Sequence, residues 1–79
     1  MKIPQALVHV VTSDPEVLGG TVCFLGTRVP LATFIDYIEA GYSLDRFLQG
    51  FSGVSREQAV AVLGWQAHQS RLAAGLEAA

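Results

Sequence analysis

Three stretches of this chain space their apolar residues as buried helix faces do. Leu31, Phe34, Ile35 and Ile38 fill the i, i+3, i+4, i+7 template, with Asp36 and Glu39 off the stripe. Pro30 opens that helix, and Gly41 stops it as a left-handed cap can. Leu44, Phe47, Leu48 and Phe51 repeat the template behind the capping Ser43, and residues 50–53 form the turn after it. Ser55, with Gln58 three positions later, is a capping-box start for a third helix running to Leu72 or beyond.

The stretch ahead of Pro30 reads differently. Residues 7–11 are dense in valine and predict a strand, as do residues 21–25. Between them, residues 13–20 predict a brief helical turn with Asp14 as cap, Pro15 in first position and Gly19-Gly20 at its end. The two strands are expected to form a small hairpin. An isolated hairpin is barely stable in water, so it must pack on the helices or join another strand.

The third helix carries two apolar stripes. Ala59, Val60, Leu63 and Ala67 cluster on one side, and Val62, Trp65, Leu72 and Leu76 on the other, roughly 150° away at ~100° per residue. A helix with two stripes is buried on both sides, and a second protein chain is the expected cover for Val62, Trp65, Leu72 and Leu76. The alternative is that the helix ends near His68 and residues 73–79 trail as a tail, with Gly64 and Gly75 weakening it.

The fold class expected is mainly α: a short N-terminal β-hairpin followed by a three-helix helix-turn-helix core, homeodomain-like or winged-helix-like. Residues 1–79 make a single domain, with a hairpin lead over 1–30, the core over 31–72, and 73–79 as the end of the last helix or a tail. Seventy-nine residues leave no room for a second core, and 51% apolar against 15% charged marks a chain that folds. A core this small, with no disulfide to support it, makes self-association, a homodimer, the economical remedy.

Five Lys+Arg against seven Asp+Glu give a net charge of −2, which argues against a strongly basic nucleic-acid binder but leaves a dimer that shares a few arginines on one face. The single Cys23 cannot form an internal disulfide and fits a reducing compartment. Met1-Lys2-Ile3-Pro4 does not read as a signal peptide, and no apolar run approaches the ~20 residues that span a bilayer. A cytoplasmic protein without membrane contact is the expectation.

Candidate chemistry is sparse. His9 and Cys23 are possible cross-strand neighbours, yet nothing nearby supplies an oxyanion hole or an orienting third group. One cysteine and two distant histidines fall short of a zinc site, and no glycine-rich loop has phosphate-loop spacing. Asp14, Glu16, Asp36 and Glu39 read as a cap residue, a first-turn acid and two solvated helix positions. Neither catalysis nor a cofactor is expected. In a helix-turn-helix, the start of the second helix reaches base edges while the preceding helix touches the backbone. Arg56 and Gln58 are then the candidate base readers, with Ser55 at the cap, and Ser43 and Arg46 hold phosphate. The competing reading is a solvated face on which Ser55 and Gln58 only cap a helix, with Asp45 and Glu57 leaving the local field nearly neutral.

Gly20 and Gly26-Thr27-Arg28-Val29-Pro30 are the most identifiable residues of the chain. Together with residues 13–20 and Ala40-Gly41-Tyr42-Ser43, they resemble the small bacterial domain-of-unknown-function 433 family over roughly residues 8 to 68. Members are often described as antitoxin-like helix-turn-helix proteins. The resemblance implies an antitoxin of a toxin–antitoxin pair, binding a PIN-like ribonuclease toxin and double-stranded operator DNA. In that setting Gly20, Gly26, Thr27, Arg28 and Pro30 form a structural motif. Arg28 either offers its guanidinium to a DNA phosphate or partner carboxylate, or locks the hairpin onto the first helix. Two departures stand out: Phe51 is followed by Ser52 where the family commonly has an aromatic-proline pair, and no long acidic tail is present. Toxin binding would then use the last helix or the hairpin. The alternatives are a stand-alone DNA-binding transcriptional regulator and a small protein–protein interaction module without DNA binding.

Overall fold

The computed structural model describes residues 3–76. Its elements run in the order β1 (Val11–Ser13), β2 (Val22–Phe24), α1 (Leu31–Glu39), α2 (Leu44–Gly50) and α3 (Arg56–Ala73), with short 3-10 turns at Gln5–Leu7 and Leu18–Gly20. A short antiparallel hairpin thus precedes three helices, as the sequence pattern predicts.

The first strand is shorter and later than expected. Residues 7–10 are turns instead, because Leu7, Val8 and Val10 donate their amides to the carbonyls of Pro4, Gln5 and Leu7. The burial explains why. Leu7 and Val11 are buried and Val10 partly so, while Val8 and His9 are exposed. That is i, i+3, i+4 spacing, which suits a turn of helix, whereas a strand needs alternation. The 3-10 turn packs against α3.

β1 and β2 pair in the register Val11↔Phe24, Thr12↔Cys23 and Ser13↔Val22. Thr12, and not His9, therefore faces Cys23, so the expected His9–Cys23 pairing does not exist. Between the strands the Asp14 carboxylate accepts from the Glu16 amide at 2.9 Å, and Val17 closes a turn onto the Asp14 carbonyl. The chain then runs through three positive φ values, Leu18 at 49°, Gly19 at 66° and Gly20 at 92°. The expected right-handed helical turn gives way to this left-handed one, which the glycines make possible. Leu18 has a Cβ, and holding it there costs about 1–2 kcal/mol.

α1 ends in a Schellman motif. Gly41 sits at φ 91°, its amide bonds the Ile38 carbonyl, and Tyr42 bonds Tyr37 while their rings pack 5.2 Å apart. The Ser43 hydroxyl accepts from the Arg46 amide to start α2. α3 starts with the predicted capping box: Ser55 Oγ accepts from the Gln58 amide, and Gln58 Oε1 accepts from the Ser55 amide. It ends at a second Schellman motif, with Leu76 donating to Arg71 across Gly75 at φ 75°. The helix therefore passes His68 and stops at Ala73, and Leu76 lies beyond a left-handed turn, off the face assigned to it by counting. The tail's last residues, 77–79, lie outside the described residues.

Phe24, Phe34 and Phe47 form the centre of the core, with ring centroids 4.7–6.2 Å apart. Tyr37 and Phe51 pack onto Phe47 from the side, so one ring from α2 touches four others. Leu7, Val11, Val54, Ala59 and Val62 complete the core. Among the described residues, no helix is long and apolar enough to cross a membrane.

Candidate functional site

The two stripes of α3 turn out to be shoulders of one face. Ala59 and Val62, one from each stripe and about 60° apart, are both buried in the chain's own core. Val62 is only 1% exposed, and Trp65 packs against that core together with Leu63. Val62 therefore needs no second chain to cover it, which corrects its assignment to a partner interface, whereas Trp65 is only partly covered by the core. Leu72 is half-buried, and Leu76, at 74% exposed, remains open. Val60, from the opposite stripe, is exposed as well.

The residues assigned to DNA contact lie at the starts of α2 and α3, and several of them are already engaged. Residues 51–55 separate α2 from α3, with Phe51 stacked on Phe47 and Val54 buried beneath the turn. Arg56, in the first turn of α3, forms an ion pair with Asp45 in the first turn of α2. Ser43 and Arg46 lie in the same turn of α2 as Asp45, all exposed. Gln58 is different. Its Oε1 accepts from the Ser55 amide at 2.9 Å, and its Nε2 donates to the Leu25 carbonyl at 3.0 Å. Both ends of that side chain are spent on architecture, tying the start of α3 to the end of the hairpin. Sequence reasoning identified the cap and missed the tie, because Leu25 lies 33 residues away.

Gly26 to Pro30 builds a rigid corner. Thr27 donates its amide to the Phe24 carbonyl at 3.0 Å with Gly26 at φ 79°, which is a type II turn requiring a positive φ at its third position. The Thr27 hydroxyl also donates to Phe24 O and accepts from the Val29 amide. Phe24 in turn donates to Val29 O, and Cys23 bridges to Pro30, so the corner folds back along β2 before α1 begins. Gly20 sits at the other end of the hairpin, its carbonyl accepting from the Ser13 hydroxyl. Arg28, between two pinned residues, is exposed and makes no hydrogen bond or ion pair among the described residues. The lock between hairpin and first helix is thus made by Thr27 and the backbone, and the guanidinium takes no part in it.

The hairpin's outer face is concave. Residues alternate sides along a strand, so Val11, Val22 and Phe24 turn to the core while Thr12, Thr21, Cys23 and Leu25 turn outward. Gly26, Thr27 and Arg28 join these residues, together with Asp14 and Val17, in lining an open groove of about 450 Å³. Cys23, among the lining residues, is buried as a free thiol. No sequence signal pointed to this groove beyond the glycines at its two ends.

A curated protein from Sinorhizobium fredii (strain NBRC 101917 / NGR234), described as "Uncharacterized protein y4eO", is 39% identical over 50 residues. The match covers 63% of this chain and 23% of that protein, so the chain spans under a quarter of the length of the relative it matches. No solved structure matches. A family model described as "Protein of unknown function (DUF433)" matches residues 11–65, from β1 through the core-facing half of α3, and with most of the fold inside that match the chain belongs to the domain-of-unknown-function 433 family.

Proposed function

We propose that this protein acts without catalysis as the antitoxin-like member of a toxin–antitoxin pair in the cytoplasm, binding a PIN-like ribonuclease toxin and touching operator DNA through the start of α3. The observation that supports the DNA half is the convergence of two helix starts. Arg56 opens α3 and reaches Asp45 in the first turn of α2, beside Ser43 and Arg46. The Arg56–Asp45 pair is exposed, and such pairs contribute about 0.2–1 kcal/mol. A DNA phosphate can displace that carboxylate at little cost. Gln58 is left out of the DNA contact, since breaking its bonds to Ser55 and Leu25 undoes the helix start.

Fluorescence anisotropy with a labelled duplex from upstream of the gene tests this reading. Arg56→Ala and Arg46→Ala are expected to weaken binding and each to reduce the salt slope by about one unit. Equal binding to a random duplex, or no binding at all, refutes the DNA half. Co-purification with the product of the adjacent gene tests the toxin half, and a stand-alone regulator would bind DNA with no such partner. The same assays separate a second reading, an interaction module without DNA binding, which is favoured by the net charge of −2 and the neutralised Arg56. A homodimer remains part of the proposal, with its contact at the partly exposed Trp65 and Leu72 of α3 and at Leu76 just beyond the helix end. Leu76→Lys is expected to lower the sedimenting mass if that end is the contact.

A further inference from the structure

The groove on the outer face of the hairpin has the features of a recognition site, and they come from independent parts of the chain. The type II turn at Gly26 and the paired bonds of Thr27 hold the backbone on both sides of Arg28. The guanidinium is exposed at the rim with no partner among the described residues. An arginine whose backbone is fixed and whose fork is open is preorganised to take a carboxylate with two parallel hydrogen bonds. Asp14 lines the same groove, and one of its carboxylate oxygens is committed to the Glu16 amide.

At the hairpin tip next to Val17, Leu18 is 50% exposed and held at φ 49°. Glycine or asparagine would sit there with less strain and no apolar surface in water. The chain keeps a leucine at a position where folding alone favours its removal, and such an outlier points to a use outside the fold.

From these observations we infer that the hairpin groove docks an extended segment of a partner protein, taking an acidic side chain on Arg28 and an apolar one against Leu18. This deepens the protein-binding half of the reading above by naming where the partner sits and what it brings. The charge pattern favours a peptide over DNA. A duplex would carry phosphates past Asp14 as well as Arg28, and the carboxylate repels them. A peptide satisfies both lining charges, with a carboxylate for Arg28 and a backbone or side-chain N–H for the second Asp14 oxygen. The apolar lining of Val17 and Leu25 suits side chains and does nothing for phosphates.

The test uses the full chain, immobilised and panned against a random heptapeptide library, with the enriched peptides resynthesised for anisotropy titration. Acidic peptides carrying an apolar residue are expected to enrich. Arg28→Gln should weaken them by about tenfold or more, as loss of a charged hydrogen-bonded pair does. Gln49→Glu, which shifts the net charge by the same unit on the exposed side of α2, should leave them unchanged. Leu18→Asn is the decisive variant, because it should weaken binding several-fold while raising the melting temperature, a combination no folding defect produces. Enriched peptides without acidic residues, or acidic peptides that bind Arg28→Gln and Leu18→Asn as well as wild type, overturn the groove while leaving protein binding intact. No enrichment at all overturns the groove, and co-purification with the product of the adjacent gene decides the protein-binding half separately. Loss of duplex binding on Arg28→Gln with peptide affinity unchanged reassigns the arginine to phosphate and sinks the proposal.

Discussion

Gln58→Ala separates the two roles that residue 58 can play. As a base reader it would lose DNA affinity and keep its stability. As the tie described above it must lose stability first. Two neutral hydrogen bonds disappear, one to the Ser55 amide at 2.9 Å and one to the Leu25 carbonyl at 3.0 Å. Each contributes about 0.5–1.5 kcal/mol, and because both lie near solvent the sum falls at about 1–2 kcal/mol. Alanine's better helix propensity returns a few tenths of that at about 0.3 kcal/mol. For a domain of this size each kcal/mol moves the melting point by about 4–8 °C, so the variant should melt roughly 3–14 °C lower. Urea unfolding followed by the fluorescence of Trp65, which packs on the core, reads the loss directly. Gln58→Glu refines the test. It keeps an oxygen for the Ser55 amide and adds a negative charge where the helix dipole favours one, but it sets oxygen against the Leu25 carbonyl. The Ser55 amide should therefore stay protected from hydrogen exchange in Gln58→Glu and lose protection in Gln58→Ala. An unchanged urea midpoint for both variants would refute the tie and return Gln58 to the list of base readers.

Phe47→Ala removes the ring that touches four others and should cost about 3–5 kcal/mol, most of the stability a 79-residue domain has, so circular dichroism should find it largely unfolded at 37 °C. Gly26→Ala and Gly64→Ala should move in opposite directions although a Cβ meets nothing within 4 Å at either site. The first forces alanine to φ 79° and loses about 1–2 kcal/mol, while the second replaces a mid-helix glycine of α3 and gains about 0.5–1 kcal/mol, both read from thermal melts. A double-mutant cycle on Asp45 and Arg56 should return a coupling below about 1 kcal/mol that fades with salt, whereas a larger, salt-insensitive coupling would mean the pair cannot yield to a phosphate.

The helices of this protein were legible from residue spacing because their signals are local. The stripes of α1 and α2, the Ser43 cap, the Ser55–Gln58 box and the stop at Gly41 are each written within one or two turns of chain. The segment before them was less so. A valine-rich run reads as strand by composition, yet Leu7, Val10 and Val11 are spaced as a turn, and five residues are too few for the period to win. Leu76 was misplaced for a related reason: counting angles assumes the helix continues, and Gly75 turns the chain left before Leu76 is reached.

Gly26-Thr27-Arg28-Val29-Pro30 identified the family, and its local hydrogen bonds follow from residue types that sequence shows directly. The use of Arg28 did not follow, because whether a guanidinium is paired depends on what the rest of the chain brings near it. The same holds for Arg56, whose partner Asp45 is 11 residues away, and for Gln58, whose carbonyl partner belongs to the hairpin. It holds most clearly for α3. Periodicity found two apolar stripes and could not say which was covered, since either arrangement satisfies the helix alone. Packing against the N-terminal turn and the aromatic core chose the line between them, burying Ala59 and Val62 and leaving Val60 in solvent. Local structure answers to the residues within a turn or two. Which surface is left for a partner is set by contacts between elements far apart in the chain, and those exist only once it has folded.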